Sequence, residues 1–254
     1  MDLNLKGKVV LVTGGSRGIG FQVSKDFLHE GAKVVAIAKT QPTSDSFIEL
    51  KEIFKGSFFF YACDVTNENS IEECRQWCLH QFDFIDIVVS NVGNGSSIQD
   101  PVTKTEQWNK VWDINFTSAL NTARIFANDL INTKGTLIFI SSIAGLEFTG
   151  APIDYSTAKS ALMAFAKSLS YRLAPNVRVN VVVPGNVWIE EGTWPDKMRE
   201  NPESVQKMIS EKVPLQRFGY PKEISDIVLF LSSERASFIT GSYFVIDGGQ
   251  TIGF

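Results

Sequence analysis

Short apolar runs rich in β-branched and aromatic residues alternate with stretches of helical periodicity along most of the chain. Lys8-Val9-Val10-Leu11-Val12-Thr13 is the first such run. Beyond a glycine cluster, Phe21, Val23, Phe27 and Leu28 recur at helical spacing until His29-Glu30-Gly31 supplies a stop. Val34-Val35-Ala36-Ile37-Ala38 then reads as a second buried strand, completing a βαβ unit of roughly 30 residues. The alternation continues with a strand at Phe58–Cys63, a helix near 68–81, a strand at Ile85–Ser90 and a long helical stretch from 105 to 131. A strand at Thr136–Ser141, a helix over 153–173 and a strand at Val177–Val183, ended by Pro184-Gly185, follow. Fully apolar strands separated by helices predict an α/β architecture: a doubly wound parallel sheet of about seven strands with helices on both faces, in three layers. Right-handed crossovers and a reversal of strand order then put the ligand at the carboxyl ends of the strands.

One segment breaks this rhythm. Residues 186–213 form a long excursion after the last of these strands. Long insertions of this kind are commonly lids or binding loops; the plainer alternative is two short surface helices anchored by Trp188 and Trp194. Nothing resembles an interdomain linker, a repeat or a low-complexity tract, so residues 1–254 read as one domain carrying a substrate lid near 186–213.

Composition narrows the function classes. With 254 residues, 44% of them hydrophobic, the chain can bury one sizeable core, and its net charge of −4 argues against a nucleic-acid partner. No apolar stretch approaches the roughly 18–20 residues of a membrane span, and Met1-Asp2-Leu3-Asn4 lacks a signal-peptide pattern. Cys63, Cys74 and Cys78 are odd in number and lack Cys-x-x-Cys spacing; with only His29 and His80 beside them, no metal site is expected. Cys74 and Cys78 read as small apolar residues of a helix, in a chain suited to a reducing cytoplasm.

Two constellations carry chemistry. Gly14-Gly15-Ser16-Arg17-Gly18-Ile19-Gly20 lies between a strand and a helix, where glycines admit a pyrophosphate and the helix N-terminus offers free N–H groups. The second is Tyr155 and Lys159, four apart on a helix and therefore on one face. A phenol titrates near 10 and is inert at neutral pH, but a neighbouring ammonium favours the phenolate. Lowering the phenol by about three units takes about 4 kcal/mol, and such a tyrosine exchanges a proton with a carbonyl or alcohol oxygen.

Taken together these motifs resemble the short-chain dehydrogenase/reductase family, in its single-domain branch with a Rossmann-type fold, over essentially the whole chain. Thr13-Gly14-x-x-x-Gly18-Ile19-Gly20 is similar to its cofactor turn, and Asp64-Val65 to the dipeptide that contacts adenine. Asn91-Val92-Gly93, Ser141-Ser142, Tyr155-x-x-x-Lys159, Pro184-Gly185 and Asp247-Gly248-Gly249 follow in family order. The resemblance implies Tyr155 as general acid or base, Lys159 as the group that lowers its pKa and binds the nicotinamide ribose, and Ser142 as the donor that polarises the substrate oxygen. Ser141 would point to the opposite side of the strand. Asn115 would distort its helix and hold a water that links Lys159 to solvent. The cofactor site would comprise Gly14, Ser16, Arg17, Gly18, Ile19, Gly20, Lys39, Asp64, Val65, Asn91, Gly93, Tyr155, Lys159, Pro184, Gly185 and Val187. Ile189 stands where the family often has a threonine that touches the nicotinamide amide.

NAD-dependent relatives generally place a carboxylate at the end of the second strand. Here Ala38, Lys39 and Thr40 occupy that place and Arg17 precedes Gly18, so two cations and no carboxylate favour NADP(H) over NAD(H). The expected activity is an NADPH-dependent carbonyl reductase, reversible as an alcohol dehydrogenase. Its alternatives are an NAD-linked dehydrogenase of a sugar, polyol or steroid-like hydroxyl compound, and a non-catalytic nucleotide-binding sensor. Phe148, Trp188 and Trp194 beside Glu147, Asp154, Glu190 and Glu191 would line the pocket, suiting a polyol, sugar or amine-bearing ketone or forming a solvated rim around an apolar site. By resemblance the chain is a homotetramer, with a dimer as runner-up. The helices carrying Phe116, Leu120, Ile125 and Phe126 and Leu162, Phe165, Leu169 and Tyr171 would form the interface.

Overall fold

The computed structural model describes residues 2–98 and 100–253. Seven strands form one parallel sheet: β1 Val9–Thr13, β2 Lys33–Ala38, β3 Phe58–Ala62, β4 Ile87–Ser90, β5 Thr136–Ile140, β6 Arg178–Pro184 and β7 Tyr243–Ile246. Their order is β3-β2-β1-β4-β5-β6-β7. The chain runs outward from β1 to β3 and then crosses back to β4 beside β1. That reversal opens a crevice at the carboxyl edge between β1 and β4.

Strand periodicity divides the core into two layers. Val9 and Leu11 point to one face with Val35, Ile37 and Val88, while Val10 and Val12 point to the other with Val34, Ala36 and Val89. The first face is covered by α3 Glu68–Phe82, α5 Ser118–Thr133 and α6 Ile153–Leu173. The second is covered by α1 Gly18–His29, α2 Asp45–Ile53 and α9 Pro221–Ser232. Cys74 and Cys78 of α3 are fully buried in the first layer, as small apolar residues would be. Phe27, Phe47, Phe126 and Phe139 are likewise buried, each worth roughly 2–3 kcal/mol of apolar transfer.

The expected helix over 105–131 is interrupted. It runs as α4 Thr105–Trp112, a π-helical turn at Asp113–Thr117, and then α5. The π-helical turn contains Asn115, whose side-chain amide donates to the carbonyl of Val111 one turn back. Helix α2 lies in a stretch that the apolar pattern left without an element. Residues 186–213 contain two short helices, α7 Thr193–Glu200 and α8 Pro202–Lys212. Trp188 and Trp194 both pack on Phe218, at ring-centroid distances of 5.3 and 5.2 Å. Among the described residues no helix is long and apolar enough to cross a membrane, and no group of three or more His, Cys, Asp or Glu is arranged to hold a metal ion.

Candidate active site

The glycine turn between β1 and α1 is built of main chain packed on main chain. A Cβ on Gly20 would lie 2.3 Å from the carbonyl oxygen of Gly14 and 2.5 Å from Asn91 Nδ2, so no side chain fits there. Asn91 closes the other side: its side-chain amide donates to the carbonyls of Thr13 (3.0 Å) and Gly14 (3.4 Å). Its main-chain N–H donates to the Thr13 hydroxyl at 2.9 Å. Helix α1 starts at Gly18 with no side-chain cap, so the amides of its first turn face outward with the positive end of the helix dipole. Ser16 is half-buried and Arg17 exposed at the mouth of the turn.

Around this turn the other expected cofactor residues gather. Asp64 follows β3 and accepts from the Thr66 hydroxyl at 2.7 Å and from the Lys39 ammonium at 2.8 Å. The Lys39 hydrogen bond, with that of Thr66, holds the Asp64 carboxyl below the usual carboxylate range. Val65 is buried beside it. Gly185 donates to the Ile246 carbonyl at 2.9 Å, fixing the end of β6 against β7. Val187 is buried and forms an isolated bridge with Gly219. Ile189 reaches over the turn, with its Cγ2 3.2 Å from where a Cβ on Gly18 would stand.

The proton-handling groups meet one strand away. Helix α6 carries Tyr155 and Lys159 on the face turned toward β4 and β5. Lys159 is 3% exposed; its Nζ donates to the Ile140 carbonyl at 3.1 Å and lies 5.9 Å from the Tyr155 ring centroid. Gly93 presses on this ammonium: a Cβ there would stand 2.7 Å from Lys159 Nζ and 3.0 Å from Asn115 Oδ1. Asn115 spans the gap to the loop after β4, accepting from the N–H of Asn94 and donating to its carbonyl, both at 3.0 Å. Ser142 follows the end of β5, and its hydroxyl acts on the Tyr155 phenol in favour of the ionised form. Ser141, facing the other way, donates to the Lys159 carbonyl at 3.0 Å.

One electrostatic expectation is reversed. Burial pushes the Tyr155 phenol up rather than down, opposed only by the Ser142 hydroxyl. Burial also lowers the Lys159 ammonium to about 8. Desolvation outweighs attraction here because the ammonium is aimed at the Ile140 carbonyl, not at the phenolic oxygen. The pair therefore presents a neutral O–H beside a cation at neutral pH, the form required of a proton donor.

The acids expected to line the pocket are largely engaged elsewhere. Glu147 accepts from the amides of Ile252 and Gly253 in the C-terminal tail, Asp154 from Ser97, and Glu190 from the Trp188 indole at 3.0 Å. Phe148 points into solvent, 96% exposed. Asn94 and Gly95 follow the family-like Asn91-Val92-Gly93, in the stretch 92–97 expected beside the pocket. Gly95 lies over the phenol, 3.8 Å from Tyr155 Cζ by its Cβ position.

An uncapped helix end beside a glycine turn, at a strand-order reversal, with a half-buried Tyr155 and a buried Lys159 opposite, defines a dinucleotide-dependent oxidoreductase. The residues fit that cofactor: the turn offers main-chain N–H groups to a pyrophosphate, and Tyr155 and Lys159 offer a phenol and an ammonium at the same sheet edge. A family model described as enoyl-(acyl carrier protein) reductase matches residues 14–251. The chain belongs to the short-chain dehydrogenase/reductase family, enzymes that act on CH–OH or C=O groups with NAD(P). It is 30% identical over 252 residues to the 3-oxoacyl-(acyl-carrier-protein) reductase FabG of Thermotoga maritima, covering 98% of this chain and 100% of that one. Glucose 1-dehydrogenase 2 of Bacillus subtilis is 31% identical over 257 residues, covering 99% of this chain and 98% of that protein. The L-sorbose reductase of Gluconobacter frateurii, solved with NADPH and L-sorbose, superposes with a TM-score of 0.91 at 28% identity, covering 100% of both chains.

Proposed function

We propose that this protein is an NADPH-dependent carbonyl reductase, reversible as an alcohol dehydrogenase, acting on a ketone or secondary alcohol. The observation that carries this reading is the convergence of the Ser142 hydroxyl and the Tyr155 phenol beside the buried Lys159 ammonium. NADP(H), when bound, supplies or accepts the hydride at the substrate carbon. Ser142 and Tyr155 donate hydrogen bonds to the substrate oxygen, stabilising the negative charge that develops there. Tyr155 then delivers its proton, and Lys159 stabilises the phenolate that remains. Asn115 fixes the loop and the ammonium relative to each other. Arg17 and Lys39 bind the ribose 2′-phosphate.

The remaining assignments share this footing. Residues 1–254 act as one NAD(P)-binding domain, with 186–213 as its substrate lid, in a cytoplasmic homotetramer or, as runner-up, a dimer. Three of the four pocket acids are occupied by protein donors, which favours recognition by shape and apolar contact over hydrogen bonding to a polyol. The alternative of an NAD-linked dehydrogenase draws on one observation, the ion pair that engages Lys39 with Asp64.

The test is Tyr155→Phe in a reductase assay with NADPH over classes of ketone. Loss of general acid catalysis should lower kcat by about 10²–10⁴ while NADPH affinity is retained. Unchanged turnover would remove Tyr155 from the reaction.

A further inference from the structure

Asp154 immediately precedes Tyr155 in the first turn of α6 and is 1% exposed. Its Oδ1 accepts from the Tyr155 N–H at 2.8 Å. Its Oδ2 accepts from the Ser97 hydroxyl at 2.6 Å and from the Thr103 hydroxyl at 3.4 Å. Gln107 Nε2 supports Ser97 from α4 at 3.4 Å. Among the described residues no lysine, arginine or histidine forms an ion pair with Asp154. A buried carboxylate without a cation is costly, and these donors with the positive end of α6 are what hold it.

The same loop is held a second time, three residues earlier. Asn94 is tied by both its N–H and its carbonyl to Asn115. Gly95, between the two ties, is the part of the loop that lies against the Tyr155 ring. Asn115 and Asp154 thus pin the loop on either side of the point where it meets the phenol.

Resting on the carbonyl reductase reading, we infer that Asp154 is a positioning residue that clamps Ser97 and so sets the height of Gly95 over the Tyr155 phenol. Asp154→Asn keeps the shape but replaces the acceptor facing Ser97 with an N–H₂ donor, and Ser97→Ala removes the hydroxyl itself. The full-length protein, both variants and the double variant are compared by hydrogen–deuterium exchange of the 93–98 amides without coenzyme. They are then compared by kcat and KM for a reducible ketone, and by NADPH affinity. Faster exchange is expected in both variants. For Asp154→Asn, kcat should fall about tenfold or more, as misplacement near reacting groups does, with NADPH affinity within about twofold. Ser97→Ala should shift kcat in the same direction, and the double variant should be no worse than Asp154→Asn alone.

Unchanged exchange in the variants would overturn the clamp, whatever the activity. Losses that multiply in the double variant, or that appear equally in NADPH affinity, would overturn the positioning role. If Asp154→Asn does not fold, Ser97→Ala decides by the same two readouts. A wild-type protein that reduces no ketone would sink the reductase reading instead, and exchange would still decide the clamp.

Discussion

The two sides of the carboxyl edge are made of different material. On the side of β1 and α1, the coenzyme site is main chain against main chain: an uncapped helix end, a glycine turn and the Asn91 side chain stapling the turn's own carbonyls. On the side of β5 and α6, the site is side chain against side chain. Lys159, Asn115 and Asp154 are buried there and held through carbonyls, hydroxyls and amides drawn from several segments. The first design tolerates almost no added volume. In the second, the rim acids are already engaged: Glu147, Asp154 and Glu190 all accept from protein donors.

Gly20→Ala is the strongest way to break that comparison. The new methyl would meet the Gly14 carbonyl oxygen at 2.3 Å, and the atom it strikes is backbone that cannot swing aside. Overpacking of this kind costs about 1–3 kcal/mol, and where the turn opens to relieve it the coenzyme should bind up to about a hundredfold more weakly. Phe148→Ala, on the exposed substrate rim, serves as the control and should leave NADPH affinity unchanged. Equal affinities for Gly20→Ala and the native chain, by fluorescence titration, would show that the turn is not the rigid half.

This contrast also explains what was legible in the sequence. Backbone-built features leave strong traces: the apolar strands, the glycine spacing of 14–20 and the Pro184-Gly185 stop each follow from local chain geometry. Tyr155 and Lys159 were legible because four-residue spacing fixes their common face. Asn115 was legible only through family resemblance, which led to the π-helical turn that interrupts the long helix. Asp154 was read as a pocket acid, since nothing in its neighbours says that Ser97, 57 positions away, donates to it. The direction of the Tyr155 shift was equally hidden. Spacing places an ammonium near the phenol but does not say that it donates to the Ile140 carbonyl or that it is buried.

The next effect belongs to the substrate side and reads out as pH dependence. Burial lowers Lys159 to about 8 from an ordinary 10.5. Below pH 8 the folded and unfolded chains both carry the proton, and burying that charge costs roughly 3 kcal/mol. Between pH 8 and 10.5 the unfolded chain binds the extra proton, so this contribution makes stability rise with pH. The raised Tyr155 phenol acts in the opposite sense above pH 10, where the unfolded chain loses its proton first. Lys159→Met should therefore melt above the native protein at pH 7, with the gap narrowing toward pH 10. A gap that stays flat across that range would mean the ammonium is not paying a burial cost.

The smallest effect sharpens the coenzyme side, where two exposed cations stand beside the Asp64 carboxylate. Arg17 makes no ion pair among the described residues, whereas Lys39 is already engaged by Asp64 at 2.8 Å, a contact that raises the Lys39 ammonium above its ordinary pKa. A 2′-phosphate recruiting Lys39 has to compete with that carboxylate, and Arg17 has no such competitor. Arg17→Ala should reduce the preference for NADPH over NADH by about tenfold, the scale of one charge-assisted contact. Lys39→Ala should reduce it by less, and Asp64→Asn should increase it by releasing Lys39, provided adenine binding survives equally for both coenzymes. Titrating each variant with NADPH and NADH in turn gives the ratio directly. A larger loss from Lys39→Ala than from Arg17→Ala would show that the Asp64 pair presents Lys39 to the phosphate rather than withholding it.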